Sequence, residues 1–77
     1  MFVNRRNELG VYVLEVKWKN KPATYKDVEK FVKKVKKEFG SAEMFFFSRS
    51  GFTEKARKLC ERKGIKMITL KDLELTS

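Results

Sequence analysis

Histidine and glutamine are absent from the 77 residues, and there are one cysteine, one proline and four glycines. Without His, neither a Ser-His nor a Cys-His nucleophile pair can be assembled, which excludes hydrolases of that kind within this chain. The single Cys60 permits no internal disulfide, and without His or a second Cys the usual zinc ligand sets cannot form. No apolar run approaches the roughly 20 residues that a membrane-spanning helix needs. The start, Met1-Phe2-Val3-Asn4-Arg5-Arg6, lacks the apolar core of a signal peptide. The expectation is a cytoplasmic, disulfide-free protein whose chemistry is limited to carboxylates, lysines and hydroxyls.

What remains is enough for one small domain and too short for two. Hydrophobic residues make up 42% of the chain, with seven Phe, two Tyr and one Trp, so a core can be buried despite 38% charged residues. A domain of this size buries only roughly 60% of its unfolded surface. A homodimer, paired through a short first strand, is therefore expected to add stability. Lys and Arg number 19 against 10 Asp and Glu, a formal charge of +9. That favours a polyanionic partner such as DNA, while Lys and Glu enrichment without Gln equally suits the surface of a thermophile's protein.

Periodicity and punctuation place the elements. Residues 1–4 read as a short strand, 5–10 as a turn and 11–19 as a strand completing a hairpin. Thr24 caps a helix to Phe39 with Asp27 as an imperfect capping box, Val28, Phe31, Val32, Val35 and Phe39 form its buried stripe, and Gly40 ends it. Residues 42–48, with Met44-Phe45-Phe46-Phe47, suit a central strand covered on both faces. A second helix over about 52–63 buries Phe52, Ala56, Leu59 and Cys60 and closes at Gly64. Residues 65–70 form a last strand, and 71–75 a turn of helix that tucks Leu73 and Leu75 under the sheet. The order β-β-α-β-α-β describes a small α/β domain: a mixed sheet, hairpin plus parallel strands, with two helices.

Alternation divides residues 11–19 between two faces. Tyr12, Leu14, Val16 and Trp18 make one uniformly apolar face, which places Tyr12 and Trp18 in the core rather than against bases. Val11, Val13, Glu15, Lys17 and Lys19 make the other, which changes from apolar to charged halfway along. A carboxylate and an ammonium side by side suit metal-assisted phosphodiester hydrolysis, Glu15 holding Mg2+ and Lys17 placing the attacking water or stabilising developing charge. On spacing alone an ion pair on a solvated strand is the commoner meaning of Glu-x-Lys.

Two further features point to phosphate. Ser48, Arg49 and Ser50 lie between a parallel strand and a helix, where free N–H groups, hydroxyls and the guanidinium can hold an anion; the alternative is a helix capped by Ser50 with Arg49 in solvent. Lys26, Lys30, Lys33 and Lys37 follow helical spacing opposite the buried stripe and can track a nucleic-acid backbone, or simply form a solvated face with Asp27, Glu29 and Glu38 interspersed.

Leu14-Glu15-Val16-Lys17-Trp18-Lys19 resembles the E-x-K half-motif of PD-(D/E)XK nucleases. The stretch Phe46-Phe47-Ser48-Arg49-Ser50-Gly51-Phe52-Thr53-Glu54-Lys55-Ala56 resembles the strand-to-helix segment of Mrr-type members. Gly64-Ile65-Lys66-Met67-Ile68-Thr69-Leu70-Lys71-Asp72-Leu73 looks like their last strand and closing turn. The three segments occur in the family's order over about residues 10–75, and the whole is most similar to the nuclease-like domain at the C-terminus of archaeal ATPases. The resemblance implies a restriction-endonuclease-like fold, Glu15 as a Mg2+ ligand and Lys17 as the catalytic lysine. The family pattern also carries an Asp on the preceding strand and usually a Glu from an earlier helix. Met1-Phe2-Val3-Asn4 offers neither, and Glu8 falls in the turn. The expectation is a single truncated nuclease-like domain that binds nucleic acid without cleaving it, or one whose missing ligand comes from a second copy; a protein-interaction module is the third possibility.

Overall fold

The structure, a computed structural model, describes the backbone of residues 2–7 and 10–75 and the side chains of residues 11–72. Along them run β1 (Phe2–Asn7), β2 (Gly10–Lys17), α1 (Tyr25–Phe39), β3 (Glu43–Ser48), α2 (Glu54–Lys63), β4 (Lys66–Thr69) and α3 (Leu70–Leu75). The expected alternation holds as far as β4. After it the terminal turn is a six-residue helix of its own, a third helix where two were expected. β1 also exceeds residues 1–4, since Arg5, Arg6 and Asn7 pair with β2 instead of forming a turn. Glu8 and the side chains of Leu73 and Leu75 lie outside the described residues.

The start of α1 follows from local chemistry. Thr24 Oγ1 accepts the Asp27 N–H at 3.3 Å while Asp27 Oδ2 accepts the Thr24 N–H at 2.9 Å, a complete capping box. Both long helices end at a glycine with positive φ, Gly40 at 73° and Gly64 at 71°, a region where a side chain would be strained. The helix α2 begins at Glu54, with Thr53 as its N-cap, two residues later than periodicity implied. Phe52 instead forms an isolated bridge with Ala23.

The sheet order is β1-β2-β3-β4, with β1 antiparallel to β2 and with β2, β3 and β4 parallel. Each crossover adds the next strand in the same direction. Right-handed connections must then place α1 and α2 on one face of the sheet. The buried core lies there: Val13 and Phe46 from the sheet meet Val28, Phe31, Val32 and Val35 of α1 and Ala56, Leu59 and Cys60 of α2. Phe46 is gripped edge-on by Phe31 and by Phe52, each with ring centroids 5.5 Å away.

The expected central place of β3 holds: it lies between β2 and β4, and Phe46 and Phe47, which alternate between its two faces, are both buried. One expectation is corrected: the face of β2 that meets the helices is the mixed one bearing Val13, whereas Tyr12, Leu14 and Val16 on the other face are half-buried and Trp18 is 58% exposed.

Candidate functional site

The strands β2, β3 and β4 are parallel and end together, so Lys17, Ser48 and Thr69 stand in register across the sheet. In α/β sheets, ligands commonly bind outside these carboxyl ends, where helix N-termini converge. A cavity of about 400 Å³ opens there, lined by Glu15, Val16, Lys17, Trp18, Lys19, Asp27, Lys30 and Phe46.

Glu15 and Lys17 share the helix-bearing face of β2 and both reach this cavity. The Lys17 ammonium donates to Asp27 Oδ2 and, at 3.3 Å, to the Pro22 carbonyl, and its side chain is only 17% exposed. Asp27 Oδ2 also accepts the Thr24 N–H and, at 3.1 Å, the Thr24 hydroxyl. Partial burial works to raise the Asp27 pKa, but Lys17 and the Thr24 bonds outweigh it and hold the carboxyl below its ordinary value. Asp27 is therefore a site residue as well as a capping residue. Its sequence signal was visible only as half of a capping box; the short loop from β2 to α1, which returns the first turn of α1 to the end of β2, is what brings it to Lys17.

The segment after β3 is tied down internally. Ser48 is fully buried and its Oγ has no hydrogen-bond partner. Ser50 Oγ donates to the Lys19 carbonyl at 2.6 Å, so it bridges two loops and leaves the cap of α2 to Thr53. The N–H groups of Arg49, Gly51 and Thr53 donate to Lys17, Ser48 and Ala23 carbonyls at 3.0, 3.3 and 3.0 Å. The cation this segment turns outward is Arg49, whose guanidinium lies 5.1 Å from the centroid of the Trp18 ring.

All four lysines of the α1 stripe are exposed. Lys30 lines the cavity, while Lys33 leans to the α2 side, 3.9 Å from Glu29, and borders a second cavity of about 260 Å³ between the two helices. Lys26, Lys30 and Lys37 have no carboxylate partner among the described residues.

Nearly the whole chain, residues 1–75, matches the profile of the Mrr-type catalytic domain, described as restriction endonuclease. It belongs to the restriction endonuclease family. No curated protein and no solved structure matches it. A small sheet with three parallel strands, flanked by helices, is consistent with that family's fold.

Such nucleases use divalent metal, and the donors among the described residues fit one poorly. In β1 the register position opposite Glu15 is Phe2, and none of Phe2–Asn7 is acidic; on the other side Glu15 faces Phe46. Among the described residues no three His, Cys, Asp or Glu side chains converge. The second carboxylate in the cavity, Asp27, carries three donors on Oδ2, one of them the lysine ammonium. A magnesium ion that demands near-octahedral oxygen ligation is not matched by this set.

Proposed function

We propose that the protein is a nucleic-acid-binding domain of the restriction endonuclease family that does not cleave unaided. The observation that carries this reading is the cavity at the carboxyl ends of the parallel strands, whose lining residues include the cations Lys17, Lys19 and Lys30 against the two acids Glu15 and Asp27. From its mouth the exposed Lys26 and Lys37 continue along α1, and the chain carries +9 overall. A phosphate backbone laid along this path releases counterions at each contact, giving affinity that is independent of sequence and falls steeply with salt. Catalysis is incomplete because β1 supplies no carboxylate beside Glu15 and because Lys17 is bound by Asp27, which neutralises the cation that a transition state would use.

The test is titration of labelled duplex and branched DNA at two salt concentrations with Mg2+ present, following binding and cleavage together. Salt-sensitive binding without cleavage supports the proposal. Cleavage that disappears in Glu15→Ala and in Lys17→Ala shows instead an active enzyme whose missing carboxylate comes from a second copy. Absence of binding at low salt makes the charge a matter of solubility and the domain a protein-interaction module.

A further inference from the structure

Trp18 is the largest exposed apolar side chain among the described residues, 58% open to solvent, and it stands on the rim of the cavity. Tryptophan is usually well buried, so an indole left in water at this place calls for a partner. The ring is also held in one orientation. It stacks on Phe47 with centroids 5.8 Å apart and planes 10° from parallel, and Phe47 is itself buried in the sheet at 8% exposure. The Arg49 guanidinium rests against the same indole at 5.1 Å. The result is an aromatic step at the carboxyl end of β2, on the sheet face turned away from the helices, anchored by Phe47 and bordered by the Arg49 guanidinium.

We propose that Trp18 is a stacking platform for an unpaired nucleobase, so that single-stranded nucleic acid, or the unpaired segment of a frayed or branched one, is the preferred ligand. The inference rests on the nucleic-acid reading of this cavity and narrows it. Every base has a π face, and stacking on an aromatic side chain contributes sequence-tolerant affinity, whereas the bases of an intact duplex are already stacked on each other. A pre-oriented ring loses little freedom on binding, and Arg49 beside it is a cation available to a neighbouring phosphate. A protein groove closing over Trp18 is the less favourable occupant, because it would also strip water from the Arg49 guanidinium without offering it a phosphate.

The full chain is titrated with a labelled oligothymidine of about 12 nucleotides, a length within the range of known single-strand sites. A blunt duplex and an abasic strand of equal length are run in parallel at one low salt concentration. Anisotropy of the label reports binding, and because Trp18 is the only tryptophan its emission reports stacking directly. The expected result is quenching of Trp18 by the oligothymidine, weaker binding of the abasic strand, and a loss of roughly 5- to 100-fold for the oligothymidine in Trp18→Ala, with a smaller loss for the duplex. Trp18→Phe retains most of the affinity. The abasic strand tests the same point on the unaltered protein, so a poorly folded variant does not spare the proposal. Equal binding of normal and abasic strands with unchanged emission overturns the stacking role and leaves the nucleic-acid reading standing. Failure of every strand to bind overturns both. A blue shift of Trp18 emission with protein concentration alone would assign the ring to self-association instead.

Discussion

The ammonium of Lys17 rests on Asp27, ten residues further along the chain, and the same carboxylate oxygen closes the capping box of α1. One side chain thus caps the helix and holds the ammonium of the site's central lysine in place. Local structure and electrostatics are joined at a single atom.

Replacing Asp27 by Ala removes both roles. The loss of half a capping box costs about 1 kcal/mol of stability, visible as a lower urea midpoint. With one negative charge gone from the cavity and Lys17 released, affinity for a labelled DNA strand rises rather than falls, which the same preparation can show by anisotropy.

The acid limb of stability follows from the direction of the Asp27 shift. A carboxyl held below its ordinary value of 3.8 contributes stability that is present above that pH and is lost as pH falls through the lower folded-state value. Urea midpoints taken from pH 7 down to pH 2 therefore drop less steeply in Asp27→Ala than in the native chain. An identical acid slope in both would show that the ion pair does not persist in solution.

Ser48 invites the opposite change. Its hydroxyl is buried without a partner, an arrangement that costs on the order of 1–3 kcal/mol. Ser48→Ala keeps the volume nearly constant and removes the orphaned group, so the melting temperature rises. A fall would mean that the hydroxyl finds a partner in solution.

Cys60 is fully buried between the helices and the sheet, and burial first, with Glu61 second, pushes its thiol up to about 11. The native protein should resist a thiol reagent at pH 8 and react only after urea is added. The sign for stability is that of a group whose ionisation the fold opposes: above about pH 9 the unfolded chain gains a thiolate that the folded chain does not, and stability declines.

The lysine stripe makes a quantitative prediction. Replacing Lys26, Lys30 and Lys37 one at a time by Gln lowers the salt slope of DNA binding by about 1 for each phosphate no longer neutralised. Lys33, drawn towards Glu29, contributes least.

Much of this was legible from residues alone. Thr24 and Asp27 announced α1, the positions of Val28, Phe31, Val32 and Val35 its buried side, and Phe45, Phe46 and Phe47 a strand inside a parallel sheet. The side of β2 that faces the helices was not legible, because Tyr12, Leu14, Val16 and Trp18 are locally the better core face. The choice is made by strand order and crossover handedness, which are properties of the whole chain. Glu15 and Lys17 were recognisable as neighbours by their spacing. Asp27 as a partner of Lys17 was not, since its capping role already accounted for it and only the returning loop reveals the second one.

The isolated bridge between Ala23 and Phe52 has a consequence for how the chain can vary. Ala23 donates to the Gly51 carbonyl at 2.9 Å and accepts from Thr53 at 3.0 Å, so the connection leading into α1 and the one leading into α2 are stitched to each other. Neither can take an insertion or deletion alone without tearing that seam and tilting a helix away from the sheet. The two loops should therefore change length together or not at all.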